Sequence, residues 1–395
     1  MMASPQQMPK GPYHWDTSGH FANNMPHVPE GSSTYRNGSI VDVVPADLLY
    51  LVDPFWYQFP PMPTLMHQIL GMVMWLTGIA AVVGNFIVLY VFVSNKTMRT
   101  PSNMLIVNLA FSDFIMMAGM FPFQGMSAFY EVWVFGGLMC ELHGFIGTFS
   151  GCMQIWTLTL ISYDRYNVIV KGIGAKPLSF KKVAAMLLLV DGIAFAWAWA
   201  PMLGWNKFTM EGNMTVCGSN SINADWNTKS FIFCIFTYAY ITPLSTIIFC
   251  YFHIVKAVAV HERQMREQAK KMNVQSLRTG DDGKTSAEIR LAKIAIMTIF
   301  LWFFAWTPYV VINFIGIFYQ DRITPMITIW GSTLSKLSAV YNPIVYGISH
   351  PRYKTAVNET FPCLSCFVGK PEDDTKSVVT TESGDTNRQN QETAA

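Results

Sequence analysis

Seven long stretches of this 395-residue chain are apolar and almost free of charge, and each lies between ionisable residues. They cover residues 68–95, 103–130, 142–163, 183–206, 230–255, 294–320 and 323–349. Each exceeds the roughly 20 residues that a helix needs to cross the hydrocarbon core of a bilayer. Hydrocarbon offers no partner to backbone N–H and C=O groups, and no alternating pattern suggests a barrel. The sequence therefore predicts an all-α membrane protein with a seven-helix bundle, whose helices we number as spans 1–7.

The composition excludes two other classes of protein. Charged residues make up only 13% of the chain and apolar residues 51%, whereas roughly 25% of an average soluble domain is charged. An ordinary soluble enzyme is therefore excluded. The net charge of only +2 leaves no electrostatic footprint for nucleic acid, and we identify no metal-binding motif.

The distribution of Lys and Arg predicts the orientation of the bundle. The loops after spans 2, 4 and 6 contain only Lys207, Lys229 and Arg322, whereas the loops after spans 1, 3 and 5 are much more basic. Basic loops face the cytoplasm, so the N-terminus is predicted to be extracellular. This gives an extracellular segment 1–63, a bundle 64–349, an amphipathic helix with a palmitoylation region 350–367, and a disordered cytoplasmic tail 368–395.

The same orientation sorts the cysteines and the candidate glycan site. Three cysteines lie inside spans, and Cys363 and Cys366 lie in the reducing cytoplasm. Only Cys140 and Cys217 remain outside, so a disulfide between them is predicted; the alternative is two free thiols. Asn37 begins an extracellular Asn-Gly-Ser motif and is a candidate for glycosylation.

The segment after span 7 has the pattern of a short surface helix. Tyr353, Val357 and Phe361 recur every four residues after a proline, which predicts an amphipathic helix on the membrane face. Cys363 and Cys366 follow it directly and are candidates for palmitoylation.

Lys336 lies near the middle of span 7, too far from either interface for its side chain to reach water. A lysine at this depth costs at least about 2.5 kcal/mol on insertion scales. It is either paired inside the bundle for structural reasons, or it is a desolvated amine that reacts with an aldehyde to form a Schiff base. The lysine alone does not separate these alternatives.

Other polar and kink-forming residues lie inside the spans or at their ends. Taken singly, each has an ordinary explanation, such as a charge that reaches the interface or a proline kink that neighbouring helices relieve. Together they indicate one kinked bundle with a polar centre. They are Asp164-Arg165-Tyr166, Asn342-Pro343 with Tyr346, Asn85, Asp113, Pro243, Tyr251 and Trp306-Thr307-Pro308-Tyr309.

With these residues the chain resembles the rhodopsin class of G-protein-coupled receptors, and among them the arthropod-type rhabdomeric visual opsins. The resemblance extends over residues 40–367. Its carriers are Ser335-Lys336-Leu337-Ser338-Ala339, Tyr341-Asn342-Pro343, His350-Pro351-Arg352-Tyr353, Asp164-Arg165-Tyr166 with its continuation to Gly172, and the third cytoplasmic loop with residues 266–272 and 286–288.

The resemblance implies that Lys336 binds 11-cis retinal, or a close analogue, as a protonated Schiff base. The vertebrate pattern has a carboxylate three residues after the span 3 cysteine, but this chain has His143 there. Glu211, shortly before Cys217, matches the alternative counterion of the family; otherwise it is an ordinary solvated loop carboxylate. The resemblance also assigns Trp306 and Tyr309 to the chromophore site, and Met120 in place of a lysine favours visible light.

For activation, the resemblance implies that Arg165 pairs with Asp164 and with Glu288 at the base of span 6. Tyr251 and Tyr346 would receive Arg165 once span 6 moves outward, while Trp306 responds to the isomerising chromophore. Ordinary packing or interfacial anchoring is the alternative for the aromatic residues. The remaining residues of this switch are Tyr166, Asn342, Pro343, Asp113 and Asn85.

The implied function is that of a photoreceptor in the rhabdomeric membrane that activates a Gq-class G protein and is not an enzyme. A receptor kinase and arrestin would act on the tail at Ser377, Thr380, Thr381 and Ser383. Two alternatives remain: a receptor for a diffusible amine or peptide, which would not need Lys336, and a retinal photoisomerase that signals weakly. Asp191 stands where the family usually has Trp, and this departure has no functional explanation at the level of sequence.

Overall fold

The computed structural model describes residues 38–172, 178–223, 225–271, 280–349 and 351–364. Within these ranges the bundle helices are Thr64–Ser94, Pro101–Phe129, Gly136–Lys171, Phe180–Trp199, Trp226–Phe236 continued by Thr242–Lys271, Gly280–Phe318 and Pro325–Ser349. In chain order they are spans 1–7. Six helices among the described residues are long and apolar enough to cross a membrane, and Pro325–Ser349 is the seventh span. The predicted seven-helix fold is confirmed.

Span 7 is the least apolar of the spans, and its polar residues explain why. Ser332, Ser335, Lys336, Ser338 and Asn342 are all buried in the protein. Polar side chains in a membrane helix face the interior of the bundle because lipid cannot satisfy them. The polar side of span 7 is therefore the side on which a site can be built.

Span 3 is longer than predicted, running from Gly136 to Lys171 instead of over residues 142–163. The predicted ends were the first ionisable residues, Glu141 and Asp164. The helix continues through both of them, and Asp164 is paired with Arg165. A charge that is neutralised within the protein does not end a helix.

Span 5 contains a π-helical turn, Thr237–Ile241, which the sequence did not predict. The hydroxyl of Thr242 donates to the carbonyl of Thr237 at 2.8 Å across this wider turn. Pro243 follows directly, and a proline has no N–H and crowds the carbonyl four residues earlier. The α-helix resumes at Thr242 and continues through the proline to Lys271, well beyond residue 255, where the sequence predicts that span 5 ends.

A cover of short elements closes one end of the bundle, here called the hairpin end. It consists of the 3₁₀ helices Ile40–Val43, Ala46–Leu51 and Pro54–Gln58 and the antiparallel strands β1 (Phe208–Met210) and β2 (Cys217–Ser219). Trp56, Trp133 and Met214 are fully buried in the apolar cluster beneath it. The cover thereby fixes the position of the hairpin over spans 3 and 7.

The opposite end, here called the Arg165 end, carries the predicted amphipathic helix as Pro351–Thr360. Tyr353 and Val357 are buried, and the ring of Tyr353 stacks on Phe92 of span 1 at 5.7 Å. The apolar face of this helix therefore packs on the bundle itself. Further 3₁₀ turns are Lys96–Met98, Ala200–Leu203, Gln320–Arg322 and Pro362–Leu364.

Candidate functional site

Lys336 is buried inside the bundle and is held by its own helix. Its Nζ donates to the hydroxyl of Ser332 at 2.8 Å and to the carbonyl of Ser332 at 3.1 Å. Ser332 lies one helical turn before the lysine, so the two side chains share a face. Ser332 is not among the residues predicted from the sequence, although a serine four residues before the lysine was a readable signal.

The amine lies in a cavity of about 980 Å³, part of which opens to the outside. Spans 2, 3, 5, 6 and 7 and the hairpin all contribute to its walls. The lining is mostly apolar and aromatic, with Phe236, Tyr240, Trp306 and Tyr309 among the rings. Lys336 and Glu211 are the ionisable groups of opposite charge that line it.

Glu211 reaches the cavity because the hairpin is fixed to span 3. The predicted disulfide Cys140–Cys217 is present, and Met210 pairs with Cys217 across the two strands. Glu211 follows directly after β1. A Cβ atom on Gly218 would collide with the Glu211 carboxylate, so the glycine leaves room for the carboxylate in its present position over β2.

The Glu211 carboxylate lies close to Lys336 without forming an ion pair with it. Ser332 and Tyr309 hydrogen-bond to the carboxylate, while Oε2 is buried and has no partner among the described residues. Burial raises the pKa of the Glu211 carboxyl, although the charge of Lys336 and the two hydrogen bonds act in the opposite direction. The Ser332 hydroxyl therefore connects an amine to a carboxylate that still has one free acceptor.

His143 is buried at the edge of the same site. Its Nδ1 lies 2.8 Å from the carbonyl oxygen of Cys217. Because a carbonyl only accepts, Nδ1 must carry the proton, and a neutral ring then has an acceptor lone pair on Nε2. That Nε2 is buried and has no partner among the described residues. The His143 ring also interacts electrostatically with the charge of Lys336.

A second charged group lies at the Arg165 end. Arg165 donates to both Asp164 and Glu288, and the Arg165 and Asp164 side chains are only 7% and 3% exposed. These contacts join span 3 to span 6. Tyr251 of span 5 also contacts span 6, because its hydroxyl donates to the carbonyl of Ala292 at 2.9 Å.

The polar residues of spans 1, 2 and 7 meet in the centre of the bundle. Asn342 Nδ2 donates to Asp113 Oδ2 at 2.6 Å, and Asn85 Nδ2 donates to the carbonyl of Ala339 at 2.8 Å. Pro343 packs against Gly84, where a Cβ atom would approach the proline ring to 3.0 Å. The structure thus brings these predicted residues together. Tyr166 lies elsewhere: its ring packs against the ring of His253 in span 5, with the two centroids 5.9 Å apart.

Several predicted positions lie outside what the structure describes. They are Asn37, Cys366, Ser377, Thr380, Thr381, Ser383 and the side chain of Tyr346. Cys363 is described and is exposed after the amphipathic helix.

The chain is similar to known proteins over most of its length. The profile of the family described as "7 transmembrane receptor (rhodopsin family)" matches residues 84–346. Opsin-1 of Schistocerca gregaria is 52% identical over 348 residues, which cover 88% of this chain and 91% of that protein. Opsin Rh6 of Drosophila melanogaster is 51% identical, with 88% of this chain and 94% of that protein covered.

Among solved structures, the crystal structure of squid rhodopsin is similar, with a TM-score of 0.76 and 37% sequence identity. The match covers 82% of this chain and 93% of the squid chain. The range matched by the family profile includes Arg165, Glu211 and Lys336, so the similarity extends through both charged regions.

Proposed function

The chain belongs to the rhodopsin family of seven-transmembrane receptors, and within it to the arthropod-type visual opsins, and we propose that it binds retinal covalently on Lys336. It is a multi-pass membrane receptor that acts through a heterotrimeric G protein, and it is not an enzyme.

One observation supports the proposal most strongly. A buried amine, Lys336, lies in a largely apolar cavity, separated by one hydroxyl from the Glu211 carboxylate. A bundle that needed this lysine only for structure would pair it directly, because an unpaired buried charge is costly.

The residues of the cavity fit a retinal chromophore. Retinal is a long apolar polyene with a single aldehyde, and the cavity has aromatic walls with a single amine. The unpartnered Glu211 Oε2 is the acceptor that a cation on Lys336 requires.

Each polar residue of the pocket then has a separate task. Lys336 would hold the chromophore covalently: its ammonium group and the aldehyde would together lose one water, and the proton left on Nζ would make the linkage cationic. Glu211 stays ionised as its counterion because a fixed cation nearby favours the charged carboxylate. His143 Nε2 supplies a neutral acceptor, and Ser332 orients the amine before it reacts.

When bound, retinal absorbs visible light and changes from the 11-cis to the all-trans form. Trp306 and Tyr309 form part of the wall against which that change acts. Span 6 must then leave its contacts at the Arg165 end, which are the ion pair of Arg165 with Glu288 and the bond from Tyr251 to Ala292. Tyr251 and Tyr346 receive Arg165 afterwards, while Tyr166, Asp113, Asn85, Asn342 and Pro343 complete the switch.

We further propose the finer identity of the partners and the surroundings. The G protein belongs to the Gq class and docks against the helical extension of span 5, which reaches Lys271. Arrestin and a receptor kinase act on the tail after light activation. The N-terminus is extracellular with a glycan on Asn37, palmitate is attached at Cys363 and Cys366, and the protein lies in the rhabdomeric membrane.

The test is reconstitution of the purified protein with 11-cis retinal, followed by an absorbance spectrum and by nucleotide exchange on Gq and Gi under light. We expect a visible band that shifts on illumination and exchange that is faster on Gq. No band at any pH would favour a receptor for a diffusible ligand. A band that isomerises in light without exchange on either G protein would favour a photoisomerase.

A further inference from the structure

A chain of hydrogen bonds joins spans 3, 6 and 7 on the side of the cavity that faces the Arg165 end. Gln154 Oε1 of span 3 accepts from Trp302 Nε1 at 3.1 Å and lies 3.3 Å from the hydroxyl of Ser338. That hydroxyl in turn accepts from Trp306 Nε1 at 3.2 Å. Gln154 is fully buried, and Trp302 and Ser338 are buried as well. We call these four residues the Gln154 clamp.

The orientation of the Gln154 amide follows from its partners. An indole N–H only donates, so the atom that faces Trp302 must be the amide oxygen. The amide nitrogen has only a weak acceptor, the sulfur of Met116 at 3.5 Å. The strong interactions of this side chain are therefore the ones that face spans 6 and 7.

The two tryptophans of the clamp form a single stacked unit. Trp302 and Trp306 are one helical turn apart, with ring centroids 5.4 Å apart and planes at 20°. Trp306 also lines the cavity and lies against Gly151, where a Cβ atom would be 2.5 Å from the ring. Gly151 and Gln154 thus present one face of span 3 on which the aromatic pair rests.

We propose that Gln154 is a positioning residue that holds this tryptophan pair in the arrangement of the dark state and so sets the light-independent activity of the receptor. The proposal rests on the proposed function, because it assumes that movement of Trp306 and span 6 activates a G protein. Any shift of span 6 away from span 3 separates Trp302 Nε1 from Gln154 Oε1. Both atoms are buried, so the separation costs the energy of a lost hydrogen bond in the active state only.

The first test is Gln154→Leu, measured as nucleotide exchange in the dark on the retinal-bound pigment. We expect dark exchange to rise roughly five- to tenfold, because removing one buried bond from one of two states shifts their populations by such a factor. Trp302→Phe keeps a six-membered aromatic ring at this position and removes the pyrrole part of the indole with its N–H, so it should produce a similar rise. Because Gln154 does not line the cavity, the absorption maximum of Gln154→Leu should stay within a few nanometres of wild type.

The double variant separates the clamp from ordinary packing. If the two side chains act through their mutual bond, Gln154→Leu with Trp302→Phe should raise dark exchange no more than either change alone. Gln124→Leu is the matched control, since Gln124 is another buried glutamine, in span 2, and it should leave dark exchange unchanged. Thermal stability measured in parallel reports any general loss of packing.

The proposal is overturned if both single variants lower the melting temperature while dark exchange stays at the wild-type value, or if their effects on dark exchange simply multiply. If Gln154→Leu does not fold, Trp302→Phe alone decides, and an unchanged dark rate overturns the clamp. Failure of the proposed function is distinguishable, because the wild-type protein would then show no visible band or no light-driven exchange.

Discussion

The bundle holds buried charge in two places, and it does so in different ways. At the Arg165 end, Arg165 is paired with both Asp164 and Glu288, so the charges are neutralised within the chain. In the pocket, Lys336 and Glu211 form no direct ion pair, and two buried acceptors, Glu211 Oε2 and His143 Nε2, have no partner among the described residues.

The difference separates a switch from a binding site. Charges that are fully paired stabilise one arrangement of the helices, and breaking the pair is costly because it leaves a buried charge behind. Charges that are only connected through a hydroxyl leave acceptor atoms that a further hydrogen-bond donor can use. The Arg165 end therefore holds a state of the protein by itself, whereas two acceptors of the pocket stay without a partner among the described residues.

The largest expected effect comes from removing the amine from the pocket. Lys336→Ala should fold, because alanine removes a costly buried charge, but it should form no covalent pigment with 11-cis retinal. The measurement is absorbance combined with acid trapping of a retinyl adduct. Lys293→Ala, at an exposed lysine of span 6, is the control and should bind retinal normally. Recovery of an adduct on Lys336→Ala would rule out this attachment site.

The next effect tests whether Glu211 is the anion that the pocket supplies. Glu211→Gln removes the negative charge, so the Schiff base holds its proton less firmly and absorption moves to the near ultraviolet at neutral pH. Acidification should restore the visible band, and chloride should restore part of it. Asp47→Asn, at an exposed carboxylate of the cover, should leave the spectrum unchanged. A visible band that persists through pH 8 in chloride-free buffer would exclude Glu211 as the counterion.

The same substitution should act differently on retinal-free protein. Burial raises the pKa of Glu211 in the folded protein, so the neutral carboxyl is favoured there, and the stability that it contributes is lost as the pH rises through that raised pKa. Wild-type retinal-free protein should therefore lose thermal stability between acidic and neutral pH more than Glu211→Gln does. Parallel melting curves at several pH values measure this, and identical pH dependence in both proteins would contradict it.

A smaller effect is expected at the Arg165 end. Glu288→Gln removes one of the two partners of Arg165, but Glu288 is 35% exposed and Asp164 remains in place. Dark nucleotide exchange should therefore rise by only about five times, as expected for a partly solvated ion pair. Glu359→Gln, an exposed carboxylate on the amphipathic helix, should have no effect. An unchanged dark rate in Glu288→Gln would show that this pair does not restrain the receptor.

The Arg165 end and the pocket also differ in how much of each can be predicted from the sequence. The seven spans were predictable because lipid forces long charge-free stretches to be helices. The ends of span 3 were not, because Asp164 and Arg165 are ionisable in the sequence but paired in the fold. Local composition shows where charges are, and it does not show which of them neutralise each other.

The pocket was predictable in its chemistry and not in its connections. Lys336 stands out because a lysine in mid-membrane is costly, and Glu211 follows from the family resemblance. Ser332 was readable as the serine one helical turn before the lysine. Gln154 carries no such signal, since its importance depends on which helix faces meet and on where Trp302 and Trp306 lie. Those contacts arise only when helices distant in sequence pack together.

The smallest effect is expected from substituting Asp191. Its carboxyl group is held differently from those of Asp164, Glu288 and Glu211. It is half-buried in span 4, and within the described part of the chain its partner is neutral: Asn108 Nδ2 donates to Asp191 Oδ1 at 3.3 Å and to Thr157 Oγ1 at 2.9 Å. A polar partner inside the bundle is one way in which a carboxyl group in a membrane span is accommodated. Asp191→Asn keeps an acceptor oxygen for Asn108, so it should cost less than about 1 kcal/mol of the unfolding free energy.

Thermal unfolding of the pigment measures that cost, and the absorption maximum should not move, because Asp191 does not line the cavity. Asn108→Leu is the informative companion, since it removes both hydrogen bonds at once and should lower the melting temperature more than Asp191→Asn does. If Asp191→Asn proved the more destabilising of the two, the charge of Asp191 itself would be needed. Span 4 would then hold a charged group of the kind seen at the Arg165 end, and not a neutral polar contact.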